Sequence, residues 1–255
     1  MNDYKILAFG DETGLLPVLE ALKPSLIVYD PNRKGMADFC RKTGIRSMPH
    51  PQKNRLQEFE ALIATSGIGL GVVSSYGRIL STEIINAFPC GIVNLHLSRL
   101  PEYRGANTLQ WTIINGATET AATLHYIDEG IDTGPVVASK SVIITPDDDA
   151  LSLQKKLIDA GRILLKTWLP ILALGKVEAD PQDEEKAKYW PRRSPEDGRI
   201  DLNWDAQRIV NMTRALVPPW PGAYFIDSLG NKVIIDRALS LEETMRLKKS
   251  HGAKA

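Results

Sequence analysis

Short apolar runs alternate along this chain with longer stretches in which apolar positions recur every three or four residues. Lys5 to Gly10 (KILAFG) and Ser25 to Tyr29 (SLIVY) are near-continuous apolar runs, closed by a glycine and by Asp30-Pro31. Such runs predict strands buried on both faces. Gly69 to Ser74 (GLGVVS) and Gly91 to Leu97 (GIVNLHL) read the same way. Between them, Leu15, Leu16, Val18, Leu19 and Leu22 give the broad apolar face of a helix. Met36 to Thr43 predicts a helix ended by Gly44, and Leu56 to Ile63 a further one. Ser81, with Glu83 close behind, can cap a helix running through Phe88. Strands alternating with helices predict an α/β fold, a Rossmann-like and mostly parallel sheet with helices on both faces.

The pattern changes after Leu97. Thr108 to Asn115 reads as a helix. Thr120 to Ile127 and Val136 to Ile144 are β-rich, joined by a polar loop, and predict a mixed extension of the sheet. Asp147-Asp148-Asp149 then heads a long helix, where acidic residues suit the positive end of the helix dipole. Leu153, Leu157, Leu164, Trp168 and Leu172 fall on one face of that helix and read as core. The polar, proline-containing stretch after Lys176 divides the chain into a catalytic domain over 1–178, a linker or surface loop over 179–198, and a small C-terminal mixed α/β appendage over 199–255. The appendage is predicted to hold a helix over 205–217 and two strands, Ala223–Ile226 and Lys232–Ile235. Its last fourteen residues are polar and are expected to fray. No internal repeat is visible.

Composition narrows the function. Lysine plus arginine and aspartate plus glutamate both number 31, so the formal net charge is zero. A balanced chain lacks the basic footprint of a nucleic-acid or anionic-membrane binder. Hydrophobic residues at 43% and charged residues at 24% exclude global disorder. Cys40 and Cys90 read as reduced, partly buried thiols. His50, His96, His125 and His251 are scattered, so no metal site is expected. The N-terminus (MNDYKILAFG) carries Asp3 and only a short apolar run, unlike a signal peptide. No run reaches the ~20 apolar residues of a membrane helix. A cytoplasmic protein is expected.

Ligands of parallel α/β sheets bind at the C-terminal ends of the strands. Three segments put polar groups there. Asp11-Glu12-Thr13-Gly14 follows the first strand but is not the glycine fingerprint of dinucleotide sites, and reads equally as a plain strand-to-helix turn. Asn94 and His96, two apart in a strand, project to one side as amide donor and titratable base. Asp128-Glu129-Gly130-Ile131-Asp132-Thr133-Gly134-Pro135 is a tight loop that can fix a carboxylate, or simply a polar turn.

Taken together, Asn94-x-His96, the loop Ser98–Gly105 and the loop Asp128–Gly134 closely resemble the formyltetrahydrofolate-dependent formyltransferases, whose mark is these three elements in this order. The segment 193–201, with 214–216 and 218–223, looks like the sugar N-formyltransferase branch of that superfamily. The resemblance implies transfer of a formyl group from 10-formyltetrahydrofolate, as co-substrate and without a metal, to the amine of a nucleotide-linked amino sugar. A dTDP-4-amino-4,6-dideoxyhexose, used in O-antigen and lipopolysaccharide synthesis, is the leading substrate. UDP-4-amino-arabinose and methionyl-tRNA formyltransferases are alternatives within the superfamily. The tRNA enzyme carries a larger C-terminal barrel and a basic surface, which this short, neutral chain does not match. A formyltetrahydrofolate hydrolase is a further alternative, usually preceded by a regulatory domain, whereas this chain begins directly with strand one. Relatives are often homodimers.

The same resemblance assigns roles residue by residue. Asn94 matches the donor to the formyl oxygen, His96 the catalytic histidine and Asp132 the catalytic aspartate, with Asp128 as a structural carboxylate. Tyr76, Arg78, Ile79, Leu80, Ile127, Asp128 and Asp132 correspond to the folate region. Arg78, Tyr103, Arg104 and Gly105 are candidates for the sugar nucleotide, and Trp220 and Tyr224 for stacking on its base.

Overall fold

The structure is a computed structural model and describes residues 4–252. Eleven strands occur among these residues: β1 (Lys5–Gly10), β2 (Leu26–Tyr29), β3 (Ser47–Pro49), β4 (Ile68–Ser74), β5 (Ile92–His96), β6 (Arg104–Gly105), β7 (Glu119–Tyr126), β8 (Val136–Ile143), β9 (Tyr189–Trp190), β10 (Ala223–Ile226) and β11 (Lys232–Ile235). The helices are α1 (Glu12–Ala21), α2 (Met36–Thr43), α3 (Leu56–Ser66), α4 (Thr82–Asn86), α5 (Thr108–Ile114), α6 (Ala150–Leu172), α7 (Ala206–Ala215) and α8 (Leu241–Ser250).

Seven strands form one sheet in the order β3-β2-β1-β4-β5-β7-β8. The first five are parallel, and β7 and β8 extend it antiparallel. The uniformly apolar strands follow from burial on both faces. Ile6 and Ala8 of β1 enter one core, with α1, α6 and α7, while Leu7 and Phe9 enter another, with α3 and α4. Each fully buried Leu or Phe of this kind stabilises the fold by about 1.5–3 kcal/mol. Asn94 and His96 share a side of β5 with Ile92, so they open onto the α3/α4 face.

The acidic triplet acts residue by residue. Asp149 caps α6, accepting from the backbone N–H groups of Leu151 and Ser152, while the Ser152 hydroxyl accepts from the Asp149 N–H. Asp148 sits just before, bound by Lys156 and by the Thr145 backbone N–H. Asp11 caps α1 through the Gly14 N–H, so the Asp11–Gly14 segment is the strand-to-helix turn. Ser81 does occupy the cap position of α4, but its hydroxyl makes no capping bond and the helix ends at Asn86.

The 179–198 stretch, read as a linker or surface loop, is mostly exposed and is fixed at two places: Asp180 bridges Val136 of β8, and β9 pairs with β6 in a separate two-stranded sheet. One expectation is corrected. The C-terminal residues expected to fray form α8 up to Ser250, with 253–255 lying outside the described residues. A capping box between Ser240 and Glu243 starts this helix, and Lys248 lays its stem inward to donate to the Trp204 carbonyl at 2.7 Å. The apolar pattern hides α8 because its inner face is built from Thr244 and Lys248 rather than leucines. The C-terminal part also shares its core with the rest, since Ile209, Met212, Ala215 and Leu216 join the same apolar cluster as β5 and α6.

Candidate active site

The antiparallel pairing of β7 with β5 places His125 directly opposite Asn94, and Thr123 opposite His96. The loop after β7 then carries Asp132 back over both. Asp132 adopts φ 55°, a left-handed conformation that aspartate tolerates better than most residues. Gly134 lets the loop return, because a Cβ there would lie 1.9 Å from the Tyr126 carbonyl oxygen. Gly105 approaches from the other side with φ +100°, and its N–H donates to Asp132 Oδ2 at 2.9 Å. A side chain on Gly105 would meet the Trp190 carbonyl at 2.5 Å.

Asn94, His96 and Asp132 therefore converge. His96 Nε2 lies 2.7 Å from the Tyr103 carbonyl, and Nδ1 lies 3.7 Å from Asp132 Oδ2. A carbonyl only accepts, so Nε2 bears the proton. Nδ1 faces the carboxylate and is the ring position at which a further proton is gained or lost. The residue is 8% exposed.

His125 was not among the expected site residues, yet it completes the cluster. Its Nδ1 lies 2.8 Å from the Tyr126 carbonyl, so Nδ1 donates and Nε2 must accept. That acceptor takes the Asn94 Nδ2–H at 3.1 Å, and a longer bond of 3.5 Å runs from Nδ2 to Asp132 Oδ1. Burial, and after it the neighbouring His96, lowers the His125 pKa to about 4. The ring is neutral at physiological pH and fixes the amide orientation of Asn94. The usable sequence signal was its place on the partner strand of Asn94, seven residues before Asp132.

The other candidates spread more widely. Asp128 ties its own loop, accepting from Gly130 N–H at 3.1 Å and the Thr133 hydroxyl at 2.5 Å. The loop touches the segment after β4 through Thr82 and Glu129, at 3.2 Å. Ile79 and Ile131 stand on these two facing segments at 80% and 55% exposure. Leu80 is buried in the α3/α4 core and Ile127 packs against it. Ile127 also lines a cavity of about 480 Å³ with Phe88, Tyr126 and Lys176.

Tyr76 donates or accepts at 2.7 Å with His50 Nδ1, and burial pushes its phenol pKa upward. Arg78 does not join the trio. It reaches back across β1 to Asp30 at 3.0 Å and borders a cavity of about 640 Å³ at the ends of β2 and β3. Arg46, His50, Arg55 and Glu58 line the same cavity, where Arg55 is paired with Glu58.

Four substrate-binding expectations are corrected or redirected. Arg104 is 0% exposed and its donors are taken by Gln182, Glu184 and Tyr189, so it has none left for a ligand. Tyr224 is buried in β10 with Lys232 over its ring at 3.8 Å, which leaves no open face for a base. Trp220 is half-buried and packs against the larger core. Tyr103 instead belongs to an aromatic stack, 5.6 Å from Trp190, which in turn lies 5.2 Å from Trp111.

Among the described residues no three metal-ligating side chains gather, no helix is long and apolar enough to cross a membrane, and both cysteines are free and buried.

Comparison with known proteins places this geometry. Residues 26–177 match the family described as Formyl transferase, and residues 192–251 match Formyl transferase, C-terminal domain. Among solved structures, a 4-N formyltransferase from Francisella tularensis is similar at 20% identity and a TM-score of 0.77, over 94% of this chain and 99% of that one. A sugar N-formyltransferase from a Shewanella species is similar at 19% identity and a TM-score of 0.75, over 93% and 98%. An N-formyltransferase from Helicobacter canadensis, solved with folinic acid and dTDP-3-aminofucose, follows at 21% identity and a TM-score of 0.67, over 84% and 80%. With the first family match spanning more than half of its residues, the chain belongs to the formyl transferase family.

Proposed function

We propose that this protein transfers a formyl group from 10-formyltetrahydrofolate to the amine of a nucleotide-linked amino sugar, with a dTDP-4-amino-4,6-dideoxyhexose as the leading substrate and O-antigen synthesis as its setting. The observation that carries this reading is the convergence of Asn94, His96 and Asp132 beneath one loop, next to the Gly105 amide. Similarity in fold to the Francisella, Shewanella and Helicobacter proteins supports a sugar nucleotide as acceptor.

The chemistry asks for a base for the amine proton and a donor for the oxygen that gains charge. The amine nitrogen bonds to the formyl carbon and the bond from that carbon to folate N10 breaks; His96 Nδ1 takes the amine proton and returns it to the departing N10, while Asp132 stabilises the imidazolium formed in between. Asn94 presents an N–H to the oxygen by giving up its long 3.5 Å bond to Asp132 while keeping its bond to His125. One such donor is worth roughly 10²–10³ in rate. The exposed Ile79 and Ile131, on segments joined by Thr82 and Glu129, offer apolar flanks for the flat pterin. Arg46, at the cavity beside Arg78, can meet a carboxylate or phosphate of either substrate.

We further place the protein in the cytoplasm as a homodimer, with catalytic and C-terminal parts divided near residues 178 and 199. A kinetic comparison of dTDP- and UDP-linked 4-amino sugars tests the acceptor: a higher kcat/KM for the dTDP sugar is expected. Equal or higher values for the UDP sugar would transfer the assignment to the arabinose branch.

A further inference from the structure

Asp132 is gripped at both ends by one dipeptide. The Gly105 N–H holds its carboxylate at 2.9 Å, as described above. Arg104, the preceding residue, holds its backbone through an intermediary, Gln182. The Gln182 amide nitrogen donates to the carbonyls of Asp132 at 2.8 Å and Gly134 at 2.7 Å. Its amide oxygen accepts from Arg104 Nε at 3.0 Å and Nη2 at 2.9 Å. All four hydrogen-bonding positions of this amide are used, and its orientation is fixed, because a guanidinium only donates and a carbonyl only accepts. Arg104 is itself held by a two-point bond to Glu184, at 2.7 and 3.0 Å, and by the Tyr189 hydroxyl at 3.1 Å. Pairing of β6 with β9 brings the two segments into register.

We propose that Gln182 is a positioning residue for the transfer reaction, braced by Arg104 so as to hold the left-handed Asp132 loop over His96. The inference rests on the reading that Asn94, His96 and Asp132 form the transferase site. Without the two Gln182 bonds, nothing else among the described residues fixes the Asp132 and Gly134 carbonyls by a side chain, and the carboxylate drifts from the imidazole. Displacement of a reacting group by about 1 Å costs on the order of 10² in rate.

Two substitutions separate loop positioning from general stability. Gln182→Leu removes both sets of bonds. Gln182→Glu keeps, and charges, the link to Arg104 but turns a carboxylate oxygen toward two carbonyls. Both variants are expected to lose on the order of 10² in kcat, with KM for the amino sugar within threefold of the unchanged protein. Q182E is expected to keep its melting temperature.

The second readout is the Gly105 amide, followed by NMR and hydrogen exchange in the free protein. Its resonance should move, and its protection fall, in both Gln182 variants. Near-normal kcat in Q182E, or an unmoved Gly105 amide, would overturn the proposal. Because the amide readout needs no turnover, a wild-type protein that formylates no amino sugar would refute the proposed substrate while the brace is still judged.

Discussion

His125 decides which atom of Asn94 faces the reacting centre. Its Nδ1–H is committed to the Tyr126 carbonyl, so its Nε2 can only accept, and the Asn94 amide must turn its N–H inward. His125→Leu should release that amide and lower kcat about tenfold or more, measured by steady-state formyl transfer. The same ring makes the fold acid-sensitive. Its pKa is lowered to about 4, whereas an unfolded histidine titrates near ~6.5. Between those values the unfolded chain binds a proton that the folded chain refuses, so stability falls as pH drops from about 6.5 to about 4. Urea midpoints at pH 7 and pH 5 should differ in the wild type and differ less in His125→Leu. His96→Ala and Asp132→Asn belong at this scale too: each should lower turnover by about 10²–10⁴ with little change in sugar-nucleotide affinity, and near-normal turnover of either purified variant would sink their assignment. Strand periodicity puts Asn94 and His96 on one side, and their roles were legible through the resemblance of Asn94-x-His96 and the two following loops to the formyltransferases. His125 and Gln182 were not, since each acquires its role only through pairing with a segment far along the chain.

At the scale of elements, α7 is joined to the turn before α6 by one buried arginine bonded to backbone carbonyls. Arg214 of α7 is buried and donates to the carbonyls of Thr145 and Asp148 at 3.0 and 3.1 Å, and to Asn211 Oδ1 at 3.1 Å. Arg214→Met should leave those acceptors unpaired and cost about 1–3 kcal/mol, read as a lower melting temperature. Burial works to raise the pKa of Asp148, but Lys156 and bonds from Thr145 and Ser152 outweigh it and lower it to about 2. Its contribution to stability is present above about 3.8 and is lost as pH falls toward about 2, a window distinct from that of His125. The apolar stripe of α6 was readable because it repeats every helical turn. The contacts that fix the 179–198 stretch were not legible because they are polar: Gln182 and Glu184 look like solvated surface until Arg104, some eighty residues earlier, is seen buried against them. Arg104 was misassigned for the same reason, as a loop arginine reads as a ligand contact when its partners are out of view.

Over the whole molecule, the parallel sheet was largely legible, since two-sided burial imposes continuous apolar runs that few other arrangements produce. β3, β6 and β9 escaped notice because strands of two or three residues carry no periodicity. The balance of 31 charges of each sign acquires a sharper meaning in the folded chain. Positive charge is not spread over a surface but paired, as where Arg55 meets Glu58 and Arg78 meets Asp30. Such pairing does not suit a polynucleotide, which needs unpaired cations along its backbone. The central claim is most directly tested by mass spectrometry of reactions holding 10-formyltetrahydrofolate with a panel of nucleotide-linked amino sugars, beside a reaction without any sugar. The account predicts that one amino sugar gains a single formyl group, with folate turnover dependent on that sugar. Turnover at the same rate without an amine, or no formylated product across the panel, would contradict it.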